Sequence, residues 1–387
     1  MIRLTVHFVT DSSLATGTYF RSHNLAVGLT RLGHQVRVFT CDHNTAAASR
    51  EEVRDGVQYR IVRSSKAQRF FGAPNNPMNA IRRAFQDYPR SDVVHLFQPF
   101  LSGLLAWSRQ TRNSRAVAWY DWDDLWAAGG LMDRQKQSTT LCYQWNYFWT
   151  SLLERGLPGR AARTTTCSTW LANLAERRGT SNPVVIRNGF WPASLVERHV
   201  ARQALGLDPH ALYFGFMGRT LTGDELEWCF EGIRRTSGSD RSLRLTVCGL
   251  PLNTLPQFAL QPKSQVDALG IIDQEQARLF ARAVDIGLVP LEDHLFNWSR
   301  FPVRFAHFLA ASTPVLTSEI GDLAGFSNIS GVLPAGKGRD SWIIAFQRAA
   351  TQLTTGGLPT VDSRVVGDLF SWGLLATQLQ TAYLSNS

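Results

Sequence analysis

One segment of the chain places a cation at the start of a predicted helix. Pro302 suits the first turn of a helix, because the N–H that proline lacks would have no partner there. The amides of Val303 and Arg304 would point toward the helix start, where the helix dipole favours an anion. The Arg304 guanidinium can hold a phosphate through forked hydrogen bonds, and a surface arginine without a ligand is the alternative. The segment therefore predicts a phosphate-binding site.

Carboxylates and a histidine suited to acid–base chemistry lie in the first half of the chain. Asp121 and Asp123 belong to the sequence DWDDLW, which follows a predicted strand. Either carboxylate could bind substrate hydroxyls or take a proton from one. The alternative is that Asp123 or Asp124 caps a short helix. His95 lies near the end of another predicted strand and is either a site residue or a buried polar side chain.

The elements that position these residues can be predicted from the sequence. Short apolar runs alternate with helical stretches along the whole chain. This alternation predicts βαβ units with parallel strands. In the first half the predicted strands are 3–9, 36–40, 58–62, 93–97, 116–120, 164–167 and 184–186, and the predicted helices are 19–32, 79–86 and 131–154. After a helical segment at 195–205, the predicted strands are 212–217, 243–248, 266–269, 286–290 and 315–317, and the predicted helices are 226–235, 274–283, 303–311, 342–353 and 372–383. We therefore expect two doubly wound halves, each of which binds its ligands at the carboxyl ends of its strands.

Several classes of protein are disfavoured by what the sequence lacks. The loop TDSSLATGTYF after the first strand has one glycine instead of GxGxxG, and no GxxxxGK[ST] occurs, which argues against dehydrogenases and P-loop NTPases. Five scattered cysteines without a CxxC pair indicate neither a zinc site nor a disulfide framework. No window approaches the roughly 18 apolar residues of a membrane span, and the N-terminus is too quickly polar for a signal peptide. We therefore expect a cytoplasmic protein.

Positive charge is concentrated in the first half of the chain. Residues 1–192 hold 24 Lys and Arg against 13 Asp and Glu, a net charge of +11, whereas the whole chain carries +9. In that half an aromatic run from Trp145 to Trp149 precedes Arg155, Arg160 and Arg163. Such a stretch is typical of an interfacial helix, and packing of the aromatic rings in a core is the alternative. We expect contact with the inner face of a membrane as one partner and do not favour nucleic acid.

The order of the motifs resembles that of the GT-B glycosyltransferases, and among them the retaining family 4. In the first half, LAVGLTRLGHQVRVFT is similar to the family's first βαβ unit, SDVVHLFQP to its fourth strand, and VVIRNGF to the turn that closes its first domain. In the second half, GFMGR is similar to its Gly-Arg loop, FPVRFAHFLAASTPVLTSEIGDL to its donor-site helix and following strand, and FSWGLLATQL to its terminal helix. The likeness extends over nearly the whole chain.

The resemblance implies an α/β fold of two Rossmann-like doubly wound domains that face a cleft. The implied divisions are an acceptor domain at 1–190, a nucleotide-sugar donor domain at 191–368, and a C-terminal helix at 369–387 that packs back on the first domain. The implied substrate is a nucleoside diphosphate sugar, with no separate cofactor. The implied acceptor is a glycan, a lipid-linked molecule or a small molecule.

The resemblance also implies the residues of the site. Arg219, in the Gly-Arg loop, would clamp the same diphosphate as Arg304, and both cations would stabilise the leaving group without a metal. Asp121, Asp123 and His95 would be the catalytic residues. The donor-binding residues would be Gly17, Gly218, Arg219, Ser299, Arg300, Phe301, Pro302, Val303, Arg304 and His307.

The sequence departs from the family at two carboxylates and one lysine. The Glu-x7-Glu pair of the family falls on Ser299 and His307, and the stretch TLTGDELEW after Arg219 lacks the usual lysine. Ribose binding would pass to His307, and recognition of the sugar would change. We predict a metal-independent glycosyltransferase that transfers a hexosyl or related group with retention. The alternatives are an inverting transferase, a nucleotide-sugar epimerase, and a catalytically silent subunit that binds a partner.

Overall fold

The computed structural model describes residues 2–11, 17–44, 46–134, 140–218, 224–237, 242–261 and 264–385 of the chain. They divide into two units. Unit 1 comprises Met1–Arg187 together with Trp372–Ser387, and unit 2 comprises Asn188–Ser371. Each unit contains one β-sheet, so the two βα-alternating halves predicted from the sequence are confirmed.

The secondary structure alternates between strands and helices. The strands are β1 (Thr5–Val9), β2 (Gln35–Asp42), β3 (Arg50–Arg54), β4 (Val57–Arg63), β5 (Val93–Phe97), β6 (Val117–Trp122), β7 (Arg163–Thr166), β8 (Val184–Val185), β9 (Leu212–Met217), β10 (Leu243–Cys248), β11 (Val266–Ala268), β12 (Ile286–Val289), β13 (Val315–Thr317) and β14 (Val332–Pro334). The helices are α1 (Gly17–Arg31), α2 (Gln68–Phe71), α3 (Pro77–Ala84), α4 (Leu101–Ser114), α5 (Leu131–Arg134), α6 (Leu141–Gly156), α7 (Thr169–Arg177), α8 (Arg198–Ala204), α9 (Glu225–Ser237), α10 (Gln274–Ala283), α11 (Leu295–Ser299), α12 (Val303–Ala310), α13 (Arg339–Thr354), α14 (Ser363–Phe370) and α15 (Trp372–Leu384). Unit 1 holds β1 to β8, α1 to α7 and α15.

The sheet of unit 1 has the strand order β3-β4-β2-β1-β5-β6-β7-β8. Its neighbouring strands are parallel, except that β3 and β4 form an antiparallel hairpin at one edge. The register of β6 against β7 places Asp121 opposite Thr165. Because parallel strands end at the same edge, the residues after β1, β5 and β6 share the carboxyl edge of this sheet.

The sheet of unit 2 has the strand order β11-β10-β9-β12-β13-β14, with parallel neighbours throughout. The central strands β9, β10, β12 and β13 are buried on both faces, as expected for a parallel sheet covered by helices. Phe214 and Phe216 of β9 pack into one core cluster, whereas Tyr213 and Met217 pack into the other. This alternation explains why β9 reads as a continuous apolar run in the sequence.

The C-terminal helix α15 belongs to unit 1 and packs against α1. Trp372 and Leu379 are fully buried. The two helices come so close that a Cβ atom at Gly28 of α1 would lie 2.4 Å from the Cβ of Ala376. Glycine at position 28 is therefore required by this close approach of two helices.

The structure corrects several predicted elements. The single helix predicted at 131–154 is wrong, because α5 ends at Arg134 and α6 begins only at Leu141, after residues outside the described set. The strand predicted at 116–120 continues as far as Trp122, since it pairs with both β5 and β7, and Asp121 therefore lies inside the strand. The helix predicted at 195–205 is shorter in the structure, where α8 covers Arg198–Ala204. The sequence interpretation did not include β3, β14, α2, α4, α7, α11 or α14.

Candidate functional site

The predicted phosphate site of unit 2 is built at the carboxyl ends of β9 and β12. Gly218 follows β9 with a positive φ of 138°, and its amide donates to the carbonyl of Cys248. The Arg304 guanidinium, from the first turn of α12, reaches back to these strand ends. It donates to the carbonyls of Met217 and Pro290, each at 3.4 Å. The structure therefore brings together Gly218 and Arg304, two of the predicted donor-binding residues.

Arg304 is a partly buried cation whose hydrogen-bonding capacity is not fully used. Its Nε atom is buried and has no hydrogen-bond partner, and the guanidinium carbon lies 4.9 Å from the centre of the Phe216 ring. Burial, together with the charge of Arg300, lowers the pKa of Arg304 to about 10. A cation that is destabilised in this way gains most from an anionic ligand.

Arg300 is a second cation near Arg304, and one carboxylate faces it. Its Nη2 atom lies 3.6 Å from Oε1 of Glu225, and its buried Nε has no hydrogen-bond partner. Glu225 is buried at the start of α9 and accepts a hydrogen bond of 2.8 Å from the amide of Asn297. Glu225 and Asn297 are 72 residues apart, so the local sequence gave no signal that they belong to this site. The two arginines and one glutamate leave an excess of one positive charge.

Helix α12 begins at Val303 as predicted, but Pro302 precedes the first turn instead of lying in it. Pro302 occupies the N-cap position and Val303 is the first helical residue, and no side chain caps the helix. Phe301, just before, is buried and stacks on Phe370, with the ring centres 5.4 Å apart. Its carbonyl accepts a hydrogen bond from the side chain of Asn188. These contacts fix the backbone that leads into α12, so the first amides of the helix have a defined direction.

The two positions where the family has glutamates lie on either side of the start of α12. Ser299 is buried, and its hydroxyl donates to the carbonyl of Phe296 at 2.8 Å. His307 lies one turn into α12 and is partly exposed. Burial and the nearby Arg278 lower the pKa of His307 to about 4, so this imidazole is neutral at pH 7. A neutral imidazole can exchange hydrogen bonds with ribose hydroxyls.

The structure does not assign two of the predicted donor-binding residues to this group. Arg219 lies outside the described residues. Gly17 is the first residue of α1 and belongs to unit 1, whereas the other predicted donor-binding residues belong to unit 2. For these two, as for the other predicted donor-binding residues, the role in binding the donor stays a prediction.

In unit 1, Asp121 forms a buried ion pair with Arg21. The Nε and Nη2 atoms of Arg21 each donate to a different oxygen of Asp121 at 2.8 Å, and neither side chain is more than 1% exposed. Thr165 donates a third hydrogen bond to Asp121, and Arg21 also holds the carbonyl of Ile186. With these partners Asp121 joins α1, β6 and β7. The prediction that it acts on a substrate stays a prediction, and the geometry favours Asp123 instead.

Asp123 lies just beyond the carboxyl end of β6. Its two oxygens accept hydrogen bonds from the hydroxyl of Thr18 and, at 3.3 Å, from the indole of Trp126. Burial and the charge of Asp121 raise the pKa of Asp123 to about 6. The alternative that Asp123 or Asp124 caps a helix is wrong, because the next helix, α5, begins only at Leu131. A carboxyl group with this pKa can exchange protons near neutral pH.

Gln98 and Thr18 complete the surroundings of Asp123 and were missed by the sequence analysis. Gln98 directly follows β5 in a left-handed conformation with φ of 73°, which is uncommon for a residue other than glycine. Its amide nitrogen donates to Thr18 at 2.8 Å, and its buried Oε1 has no hydrogen-bond partner. A polar residue immediately after a buried strand was the available signal. Strained backbone and an unpartnered polar atom are features that cluster at functional sites.

His95 lies in the interior of unit 1. One ring nitrogen is 2.6 Å from the Tyr383 hydroxyl of α15, and the other is 3.1 Å from the Thr165 hydroxyl. Burial lowers the pKa of His95 to about 4, so the ring is neutral. Both nitrogens are occupied by protein groups, which favours the alternative of a buried polar residue that ties α15 to the sheet.

The first half of the chain matches a known family. Residues 16–189 match the family described as "Glycosyl transferase 4-like domain". Among curated proteins, none matches the sequence. The matched range covers the carboxyl edge of the unit 1 sheet, including Asp123 and Gln98.

Solved structures share the fold of the whole chain. Sucrose-phosphate synthase from Thermosynechococcus elongatus matches with a TM-score of 0.72 and 16% identity, over 99% of each chain. The catalytic domain of starch synthase IV from Arabidopsis thaliana, bound to ADP and acarbose, matches with a TM-score of 0.70 and 13% identity, over 99% of each chain. HepE from Anabaena, in complex with UDP and glucose, matches with a TM-score of 0.66 and 14% identity, over 99% of this chain and 100% of that one.

These matches confirm the predicted fold class and the predicted resemblance to GT-B glycosyltransferases. The family match and the fold together support a glycosyltransferase of GT-B type. Of the helices described, none has both the length and the apolar character needed to span a bilayer.

Proposed function

We propose that the protein transfers a glycosyl group from a nucleoside diphosphate sugar to an acceptor hydroxyl. The observation that carries the proposal is the excess positive charge at the start of α12, where Arg304 and Arg300 face one carboxylate. Both arginines have a buried nitrogen without a partner. The structures of starch synthase IV and HepE, which share the fold, hold ADP and UDP. A diphosphate is the ligand whose charge and oxygen atoms suit this group.

In the proposed reaction, the diphosphate is bound by the first amides of α12 and by Arg304, with Arg219 as a second clamp. The bond between the anomeric carbon and the phosphate oxygen breaks, and negative charge develops on the diphosphate. Fixed cations and helix dipoles stabilise such charge most strongly where water is limited. Because arginine supplies the countercharge, we propose that the transfer needs no metal. The sugar, a hexosyl or related group, moves to the acceptor oxygen with retention of configuration.

We assign Asp123 to the acceptor side of the reaction. Its pKa of about 6 leaves it ionised at pH 7 but close to the pH at which it accepts a proton. The acceptor oxygen forms the new bond to the anomeric carbon, and its proton passes to the Asp123 carboxylate. Thr18 and Trp126 hold this carboxylate in place by hydrogen bonds. The acceptor is a hydroxyl of a glycan, a lipid-linked molecule or a small molecule, in the cytoplasm or at the inner face of a membrane.

A catalytically silent subunit of the same fold is the second candidate, and the absence of both family glutamates at Ser299 and His307 favours it. The two candidates differ in what they bind. A transferase must bind a nucleoside diphosphate and release it from a nucleotide sugar, whereas a silent subunit does neither.

Thermal unfolding in the presence of a panel of nucleoside diphosphates tests the proposal first. A ligand at a hundred times its Kd stabilises the folded protein by about 2.7 kcal/mol. The matching nucleotide sugars are then incubated with the protein, and released diphosphate is measured by chromatography. We expect one base to stabilise the protein and its sugar nucleotide to be consumed. No stabilisation by any nucleoside diphosphate contradicts the transferase and supports the silent subunit. Stabilisation by a diphosphate whose nucleotide sugars are not consumed with any acceptor contradicts both.

The variant Arg304→Ala and the control Arg348→Ala sharpen this experiment. Arg348 is an exposed arginine on α13 of the same unit. The first variant should lose the stabilisation by diphosphate, and the control should keep it. Equal behaviour of the two variants would show that the diphosphate binds away from α12.

A further inference from the structure

Helix α6 of unit 1 is apolar on two faces. Trp145, Trp149 and Leu153 pack against the core of unit 1, as the alternative to an interfacial helix predicted. The adjoining, outer face is also apolar, with Leu141 83%, Phe148 58% and Leu152 47% exposed. A helix on the surface of a globular domain ordinarily has a polar outer face. The outer face of α6 therefore has more apolar surface than its place in the fold explains.

Exposed positive charge borders this apolar face. Arg155 lines the same shallow groove as Phe148 and Leu152. Arg160 follows α6 and folds back on it, with a guanidinium nitrogen 3.5 Å from the position of a Cβ atom at Gly156. Burial and the carboxylate of Asp133 raise the pKa of Tyr143 and of Tyr147, which line this groove. An apolar stripe with a cationic end suits a surface that combines hydrocarbon with negative charge.

The neighbouring helix α2 also exposes an aromatic side chain next to an arginine. It packs against α6, and the rings of Phe71 and Trp145 are 5.3 Å apart. Phe70 on α2 is exposed, and the Arg69 guanidinium lies 4.6 Å from the centre of its ring. The patch thus consists of aromatic and aliphatic side chains from two helices, each accompanied by an arginine.

A pocket beneath α6 shares one lining residue with the outer groove and another with the surroundings of Asp123. Tyr143 lines both the outer groove and the pocket. The pocket is walled mainly by apolar side chains, among them Phe100, Leu131 and Trp126. Trp126 is the residue whose indole donates to Asp123. An apolar chain that lies in this pocket would therefore contact Trp126, the side chain that donates to the carboxyl group assigned to the acceptor.

We propose that the outer face of α6 docks unit 1 on an anionic lipid bilayer and that the pocket beneath it receives the hydrocarbon part of a lipid acceptor. The second part rests on the function proposed above, because it names the class of acceptor. The docking itself does not depend on that function. The positive charge of residues 1–192 attracts the negative headgroups, and Phe148, Leu152 and Leu141 enter the interface.

Sedimentation with lipid vesicles tests the docking. The full-length protein is mixed with vesicles of phosphatidylcholine alone or with phosphatidylglycerol added, at low and at physiological salt. We expect binding to the anionic vesicles at low salt, weaker binding as the Debye length falls to about 8 Å, and little binding to the neutral vesicles. The double variant Arg155→Gln, Arg160→Gln should bind about 30-fold more weakly, which corresponds to about 1 kcal/mol for each arginine.

The apolar part of the proposal has its own variant and control. Phe148→Ser with Leu152→Ser should weaken vesicle binding by about tenfold or more, because interfacial binding scales with buried apolar area. Ile344→Ser with Arg348→Gln, two exposed positions on α13 of unit 2, is the matched control and should bind as the unmodified protein does.

Several results would overturn the docking. These are no binding to anionic vesicles at low salt, equal binding to neutral vesicles, or unchanged binding by both α6 variants. Concentration-dependent dimerisation that the Phe148 and Leu152 variant abolishes would assign the face to a second copy of the chain instead. Thermal stabilisation by nucleoside diphosphates is recorded on the same samples. Lost vesicle binding with retained nucleotide binding overturns the docking alone, and the reverse result overturns the proposed transferase alone.

Discussion

The guanidinium of Arg304 lies against the backbone of Gly218, so closely that a Cβ atom at position 218 would be 2.8 Å from its Nη1. The positive φ of 138° at Gly218 disfavours any larger residue as well. Two independent constraints therefore keep this position free of a side chain. The same backbone also lies 3.2 Å from where a Cβ atom at Gly249 would be, so two strand ends meet here without side chains.

Gly218→Ala is expected to destabilise unit 2 and to weaken nucleoside diphosphate binding. The strained backbone conformation should cost about 1–3 kcal/mol, and the clash should displace Arg304 from the strand ends. Urea unfolding and calorimetric titration measure the two effects. Gly367→Ala is the control, because this helical glycine of α14 has no atom within 4 Å of a Cβ position. Similar affinity in both variants would mean that the approach of Arg304 to Gly218 is unimportant for the ligand.

The pH dependence of stability should report on Asp123. Because the pKa of Asp123 is raised to about 6, the folded protein holds the proton more tightly than the unfolded chain does. The resulting stability is complete below the unfolded pKa of about 4 and is lost as the pH rises through about 6. The Asp123→Asn variant lacks the ionisable carboxyl group and therefore lacks this pH-dependent part of the stability. Relative to the unmodified protein, its free energy of unfolding should rise by on the order of 2 kcal/mol between pH 4 and pH 8.

Transfer activity should decrease as the pH falls, whereas the stability that Asp123 contributes increases. A base must be ionised to accept a proton, so kcat/KM should fall as the pH drops below about 6. Asp123→Asn should abolish most of the transfer while leaving the affinity for nucleoside diphosphate intact. A rate that is independent of pH between 5 and 8 would remove Asp123 from the reaction, whatever its effect on stability.

Tyr383→Phe should destabilise unit 1 without changing nucleotide binding. The change leaves a ring nitrogen of His95 buried without its partner, which should cost about 1–3 kcal/mol. Thr377→Ala, at an exposed position of the same helix, is the control and should change stability by about 0.5 kcal/mol or less. Thermal unfolding checks both. A Tyr383→Phe variant that keeps its stability but loses transfer activity would return His95 to the catalytic residues.

Transfer activity should survive EDTA. The countercharge for the diphosphate is assigned to Arg304, Arg219 and the start of α12, none of which needs a metal. Activity is compared with and without the chelator and after addition of Mn²⁺ or Mg²⁺. If activity disappears and returns only with added metal, Asp121 and Asp123 become the first residues to test as ligands.

The elements that the sequence predicted well are those with continuous apolar runs. β9, β10 and β12 are buried on both faces, and this burial is visible directly in their composition. β3, with the sequence REEVR, is a partly exposed edge strand, so no apolar pattern marks it. The predicted helix 131–154 was extended too far toward Leu131, although Thr140, in an extended conformation, caps the start of α6. Local patterns show burial, and they do not show where the chain turns.

The site was predicted where chemistry follows from local geometry and missed where it depends on distant partners. Pro302 and Arg304 indicated a cationic helix start from adjacent residues alone. Asp121 and Asp123 look equivalent in the sequence, yet the partner that buries Asp121 is Arg21, 100 residues away. The contact between Glu225 and Asn297 likewise joins separate elements. Such pairs are set by the strand order, which a single sequence does not specify.

Calorimetric titration of the Arg304→Ala variant with a nucleoside diphosphate and with the corresponding nucleoside tests the central claim most directly. Loss of a charged hydrogen-bond partner should cost about 1.5–3 kcal/mol, which is roughly 10- to 150-fold in Kd for the diphosphate. The nucleoside, which carries no phosphate, should bind Arg304→Ala and the unmodified protein equally well, and Arg219→Ala should behave in the same way. Equal weakening of both ligands, or no binding of any nucleoside diphosphate to the unmodified protein, would contradict the assignment of a diphosphate site to the start of α12.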